Sequence, residues 1–125
     1  HPVIPTEPVT QLLEEMKQVR PGFDYGLREM MSVEPTMTEK DAPVVRALDA
    51  AIAEVLGEDS RHVVSPGTYD QKHVSRIGHL QDCVAYGPGI LDLAHQPDEY
   101  IGIDDMTDSA EIMLRASAGL LKGNH

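Results

Sequence analysis

The feature that most constrains the fold lies in residues 86–105, where a short apolar run meets a Gly-Pro-Gly tripeptide and a loop with one histidine follows. Proline has no N–H for a β-ladder and glycine permits unusual φ angles, so the tripeptide ends a predicted strand over residues 83–86. His95 is then carried on irregular backbone beyond the strand end, a common position for ligand-binding residues in open α/β sheets. The pattern therefore predicts an α/β fold.

His95 stands among carboxylates, and this makes it a candidate metal ligand. Neutral imidazole is the commonest metal ligand in proteins, and Asp98 or Glu99 could accept a hydrogen bond from the other ring nitrogen and fix the tautomer. A histidine in an acidic loop is also often a solvated surface residue. The residues alone leave both interpretations open.

A second turn occupies residues 65–72, which read Ser-Pro-Gly-Thr-Tyr-Asp-Gln-Lys. It joins a short predicted strand at residues 62–65 to a predicted helix over about residues 69–77. The N–H groups at the start of a helix attract anions, and the hydroxyl of Thr68 adds a donor. In the alternative interpretation, Thr68 is only an N-cap and Asp70 only complements the helix dipole.

Together the two turns resemble motifs of the M20 family of metallo-amidohydrolases, which includes succinyl-diaminopimelate desuccinylase, acetylornithine deacetylase and related carboxypeptidases. In that family a strand runs into Gly-Pro, then a loop with Ala-His-x-x-(Asn/Asp)-Glu-(Tyr/Cys) and a final helix; residues 94–100 match this loop. Residues 66–70 resemble the family's Gly-Gly-Thr-x-Asp turn. Here Pro66 replaces the first glycine, and Gln71 and Lys72 replace the more usual small residue and arginine.

The resemblance implies a two-metal site in which His95 is the terminal ligand of one ion, with Asp98 or Glu99 as the acceptor for its other ring nitrogen. The implied substrate-binding residues are Gly67, Thr68 and Lys72. The implied cofactor is a divalent metal, two ions per complete site, and zinc, cobalt and manganese all suit such ligands. The family's other ligands and its general base lie in its N-terminal part. One histidine does not hold a catalytic zinc, so we expect this chain to be inactive by itself.

The resemblance also implies two parts of a longer enzyme. Residues 1–35 would end a ferredoxin-like lid and dimerisation domain, with a helix that contains Leu12 and Met16 and a half-exposed strand at residues 23–33. The fold would be α+β at this N-terminal end. Residues 36–125 would be the C-terminal part of a layered, mixed-sheet, aminopeptidase-like catalytic domain.

Two longer helices are predicted within residues 36–125. The first is capped by Asp41, carries one apolar stripe and has Gly57 as its C-cap. The last helix is capped by Asp104 or Asp105. Its predicted apolar side consists of Ala110, Met113, Leu114, Ser117 and Leu121.

Charge and cysteine content exclude some functions. A formal net charge of −11 argues against binding to nucleic acid or to an anionic membrane surface, because both need clustered basic residues. The single cysteine, Cys83, cannot form an internal disulfide, which favours a reducing compartment and a cytoplasmic location. No apolar run approaches the length of a membrane span.

The favoured function is the C-terminal part of a metal-dependent hydrolase that cleaves an amide or related C–N bond of a small amino-acid-like substrate. Its expected partners are the N-terminal part of the same enzyme, a second copy bound through the lid, and a small-molecule substrate. The alternative is a non-catalytic interaction or binding module with an M20-like fold. A third possibility is a metal held for structure alone, with ligands from His95, Asp92, Asp98 and Asp104.

Overall fold

The computed structural model describes residues 9–19, 22, 26, 28, 30, 35–65, 67 and 69–123. Its α-helices are α1 (Val9–Gln18), α2 (Pro43–Leu56), α3 (Gln71–Arg76) and α4 (Ile103–Lys122). A short 3-10 helix covers Leu91–Leu93. The described part of the chain is therefore helical, and none of its helices is long and apolar enough to cross a membrane.

The two strands predicted at residues 62–65 and 83–86 are not seen: both segments lack regular secondary structure. A strand needs a neighbour that pairs with its N–H and C=O groups, and within the described residues no segment forms such a ladder with either one. The mixed sheet is accordingly not seen. The predicted strand at residues 23–33 falls mostly outside the described residues.

The core lies between α2 and α4, and these two helices pack against each other along their length. Its buried residues come from both helices and are Val45, Ala51, Ile112 and Ala116. Partly buried residues of α2 surround this cluster: Ala47, Leu48, Ile52 and Val55. Small side chains at positions 51 and 116 let the helices approach closely, and Ile112, only 1% exposed, is the largest side chain fully enclosed between them.

The apolar side predicted for α4 is not the side that faces the core. Ser109, Ile112 and Ala116 face the core, whereas Met113, Leu114 and Leu121 are 45%, 70% and 71% exposed. Both sets have helical spacing, because α4 carries apolar residues on two different sides. Packing against α2 selects the side with the smaller residues, and the second apolar side is left exposed.

The helix ends agree with the sequence at some positions and differ at others. Gly57 is the C-cap of α2 with φ of 70°, as predicted. The N-cap of α2 is Ala42, not Asp41, and the side chain of Ala42 makes no capping bond. In its place the Asp82 carboxylate accepts a hydrogen bond from the Val44 N–H, with N–O distances of 3.1 and 3.3 Å.

The start of α4 also differs from the prediction. Its N-cap is Gly102, and Asp104 and Asp105 lie in the first turn, where carboxylates complement the helix dipole. A Cβ atom at position 102 would lie 2.7 Å from Oδ2 of Asp105, so glycine permits this close approach. α1 ends at Gln18, shortly before the Arg-Pro-Gly sequence at residues 20–22.

Candidate functional site

The first half of the candidate site is the turn before α3. The Ser65 hydroxyl accepts a hydrogen bond from the Gly67 N–H at 3.1 Å and lies 2.8 Å from the Tyr69 hydroxyl. A Cβ atom at position 67 would come within 3.1 Å of the Tyr69 hydroxyl oxygen, so the absence of a side chain lets the ring fold over the turn. Gly67 is exposed, as a substrate contact requires.

The other two predicted substrate-binding residues lie on either side of the helix start. Thr68 lies outside the described residues. Lys72 is half-buried at the second position of α3, which begins two residues later than predicted. The structure therefore brings Gly67 and Lys72 to the same turn, and their contact with a substrate stays a prediction.

The second half is the loop that carries His95. His95 and Asp98 adopt left-handed backbone conformations with φ of 62° and 63°, which is uncommon for residues other than glycine. Local hydrogen bonds hold this shape: the Glu99 carboxylate accepts from the His95 main-chain N–H at 3.0 Å, and the Gln96 amide donates to the Asp92 carbonyl at 2.8 Å. The His95 side chain is exposed.

Glu99 thus approaches His95 through the main chain. Its predicted role as an acceptor for the imidazole, shared with Asp98, stays a prediction. This contact fixes the backbone of the loop at His95, the predicted metal ligand. A carboxylate on a main-chain N–H makes a charge-assisted bond, which is stronger than a bond between neutral groups.

The described residues do not form a complete metal site, because no group of three or more His, Cys, Asp or Glu side chains lies close enough to hold an ion. The predicted structural metal site of His95, Asp92, Asp98 and Asp104 is therefore wrong. All four residues are among those that the structure describes.

The two halves are connected by side chains that sequence analysis did not place in the site. The Gln71 amide donates to the Thr38 hydroxyl at 3.2 Å and to the Cys83 carbonyl. The Thr38 hydroxyl lies 3.0 Å from the Gln81 carbonyl and also contacts the Cys83 carbonyl. The sequence marked Gln71 only as a departure from the M20-like motif. Nothing in the sequence marked Thr38, which lies in a polar segment 33 positions before Gln71.

A separate polar cluster joins α2 to the segment that follows it. The Asp49 carboxylate contacts the Ser60 hydroxyl and lies 2.9 Å from Nε2 of His62. The same nitrogen is 3.4 Å from the Ser60 hydroxyl. A nucleophilic triad needs the acid and the hydroxyl on different ring nitrogens, so this cluster is not one. Burial raises the pKa of Asp49, but hydrogen bonds from His62 and Ser60 and the charge of His62 outweigh burial and lower the pKa overall.

Comparison with known sequences identifies the family. The family described as "Peptidase family M20/M25/M40" matches residues 4–118, a range that includes both turns of the candidate site. The chain belongs to the M20 family. The resemblance to the M20 family is thereby confirmed over residues 4–118.

Curated relatives of this M20 chain include two enzymes named for acylated amino acids. It is 34% identical over 123 residues to an acetylornithine deacetylase from Myxococcus xanthus, which covers 95% of this chain and 30% of the relative. It is 32% identical over 91 residues to a succinyl-diaminopimelate desuccinylase from Sulfurovum sp. (strain NBC37-1), which covers 73% of this chain and 24% of the relative. The M20 chain thus spans less than a third of the length of these relatives. Comparison with solved structures gave no significant match.

Proposed function

We propose that this chain is the C-terminal part of a metal-dependent hydrolase that cleaves an amide or related C–N bond in a small amino-acid-like substrate. The observation that carries the proposal is the M20 match over residues 4–118, within which His95 is exposed on a loop held by Glu99. The names of the relatives support acylated amino acids as the substrate class.

The donor set limits what this chain contributes to the reaction. His95 fits the role of one terminal ligand, because its imidazole is exposed and its backbone is fixed. Within the described residues, His95 belongs to no group of three or more His, Cys, Asp or Glu side chains that could hold an ion. A divalent metal bound there would supply water activation and polarisation of the substrate carbonyl. Gly67, Thr68 and Lys72 would bind and orient the substrate from the turn before α3.

The remaining ligands would come from the N-terminal part of the enzyme, and the surface of this chain supports such a partner. α4 exposes a second apolar side, with Met106 51% and Leu114 70% exposed. Residues 61–65 and 82–87 lack regular structure and would become strands of a mixed sheet if neighbouring strands paired with them. The division at residue 35, the homodimer through the lid and the cytoplasmic location stay predictions.

A non-catalytic interaction module is the second candidate function. The same exposed apolar side of α4 favours it, because apolar surface of this kind also marks sites of protein association. In such a module His95 would be an ordinary surface residue. The two functions therefore differ in what the imidazole of His95 does.

The test is to replace His95 by alanine in the full-length protein, with His79→Ala as the matched control. Both histidines are exposed and adopt positive φ, 62° and 53°, so the two substitutions disturb the backbone in the same way. We expect His95→Ala to lose about one of the two metal equivalents and nearly all hydrolysis of N-acetyl and N-succinyl amino acids. Full metal content and normal turnover in His95→Ala would contradict the proposal and favour the interaction module.

A further inference from the structure

α3 has unusually few contacts to hold it in place. It is six residues long and contains no buried residue. An isolated helix of this length is not stable in water, so contacts outside the helix must hold it. Since α3 follows directly on the turn that carries Gly67, whatever anchors the helix also anchors the turn.

The side chain of Gln71, the first residue of α3, makes such contacts. Its amide group has two protons, and the structure gives each an acceptor: the Thr38 hydroxyl at 3.2 Å and the Cys83 carbonyl. The Thr38 hydroxyl accepts this bond and can donate its own proton to the Cys83 or the Gln81 carbonyl. Gln71, Thr38 and Cys83 are half-buried, so the bonds among these three residues are partly shielded from water.

The carbonyl that receives these bonds belongs to the segment that leads to His95. Residues 84–86 follow Cys83 and run to the Gly-Pro-Gly tripeptide and the His95 loop. The Asp82 carboxylate fixes the same segment to the start of α2. Gln71 therefore connects the turn of Gly67 to the backbone that carries the candidate ligand.

The geometry points to a positioning role: Gln71, supported by Thr38, sets the place of the Gly67–Lys72 turn relative to the His95 loop and so the place of the substrate relative to the metal. This inference rests on the proposed function. It assigns a role to a side chain that touches neither substrate nor metal. A carboxylate at position 71 would lose both donated bonds, and an apolar side chain would leave the Cys83 carbonyl without this donor.

The experiment compares four variants of the full-length protein. Gln71→Leu and Gln71→Glu keep the size of the side chain and remove the donors, and Thr38→Val removes the hydroxyl at nearly constant shape. Thr38→Ser restores the hydroxyl and serves as the rescue. The matched control is Ser75→Ala, which removes an exposed 3.3 Å bond from the same helix to Gln81.

We expect KM for N-acetyl and N-succinyl amino acids to rise about 10-fold in Gln71→Leu, Gln71→Glu and Thr38→Val, with metal content unchanged. Thr38→Ser and Ser75→Ala should stay within about twofold of the unchanged protein. A merely structural role would reduce the fraction of active enzyme and hence kcat, and would leave KM as it was. Unchanged KM in Gln71→Leu would overturn the inference, as would an equal rise in Ser75→Ala.

Failure of the inference and failure of the proposed function give different results. If His95→Ala loses metal and activity while Gln71→Leu keeps its KM, only the positioning role is wrong. If the unchanged protein hydrolyses none of these substrates, the proposed function is wrong for this substrate class. Amide hydrogen exchange then still tests the connection: Gln71→Leu should exchange faster than Ser75→Ala at residues 71–74 and 83–86, and equal rates in both variants would overturn it.

Discussion

The α2–α4 pair and the segment between the two helices are organised in different ways. The pair encloses Ile112 and Ala116 against Ala51, and it holds together through apolar packing. None of the described residues from 58 to 102 is buried, and even Val64 and Ile77 are 81% and 67% exposed. That segment is fixed by hydrogen bonds from a few side chains to distant main-chain atoms.

The difference follows from what each type of element needs. A helix satisfies its own backbone groups and needs only one apolar side against a neighbour, and α2 and α4 provide this for each other. A strand depends on partners that lie elsewhere in the chain, so residues 61–65 and 82–87 stay without regular structure here. The candidate site lies in the segment of residues 58–102, and its geometry depends on long-range polar contacts.

The largest expected effect tests the packed pair. Ile112→Ala removes the largest fully buried side chain and leaves a cavity between the helices, so we expect the free energy of unfolding to fall by about 3 kcal/mol. Urea unfolding of the protein measures this. The control is Met113→Ala, the next residue along α4, whose side chain is 45% exposed and whose loss should cost less than about 1 kcal/mol.

Equal losses in the two variants would mean that α4 presents Met113 to a core as well as Ile112. The contrast between the two regions would then weaken, because the second side of α4 would also be packed. A larger loss for Ile112→Ala would sharpen it and would establish which side of α4 faces α2.

A smaller effect tests the contact between the two regions at the start of α2. Asp82→Ala removes the carboxylate that accepts from the Val44 N–H, and loss of such a cap costs about 1 kcal/mol. Asp41, the cap predicted from the sequence, precedes the N-cap Ala42 and is exposed, so Asp41→Ala should change stability by less than about 0.5 kcal/mol. Thermal unfolding of both variants gives the comparison. The reverse order of effects would show that the nearby aspartate is the true cap.

The sequence predicts the helices better than the contacts that connect them. Periodicity and the glycine at position 57 were enough to locate α1 and α2, because helix formation is mostly local. Periodicity could not choose between the two apolar sides of α4, since each has the same spacing. Periodicity could not establish the predicted strands, because strand pairing is not a local property.

In the candidate site, too, local features could be predicted from the sequence and long-range contacts could not. Its two motifs could be recognised from residue types and their order, and membership of the M20 family confirms that recognition. The bond from Gln71 to Thr38 could not, because 33 positions separate the two residues and neither belongs to a pattern that requires the other. A hydrogen bond of this kind is decided by the folded path of the chain.

The smallest expected effect is pH-dependent and concerns Asp49, whose contacts join α2 to the segment of residues 58–102. Burial raises its pKa, but hydrogen bonds from His62 and Ser60 and the charge of His62 lower the pKa overall. A lowered pKa in the folded state gives stability that is present above the unfolded value of about 3.9 and is lost as pH falls through the folded value. The carboxylate is 35% exposed, so solvent screening limits the effect to less than about 1 kcal/mol.

Asp49→Asn removes this titration, so its free energy of unfolding should fall less between pH 5 and pH 3 than that of the unchanged protein. The control is Asp59→Asn, which removes an exposed carboxylate next to Ser60 that takes no part in the cluster. Urea unfolding at a series of pH values separates the three proteins. If Asp49→Asn loses stability with acid as steeply as the other two, the cluster does not hold the start of residues 58–102 to α2. Among the described residues, the contacts of Thr38, Gln71 and Asp82 would then hold that segment.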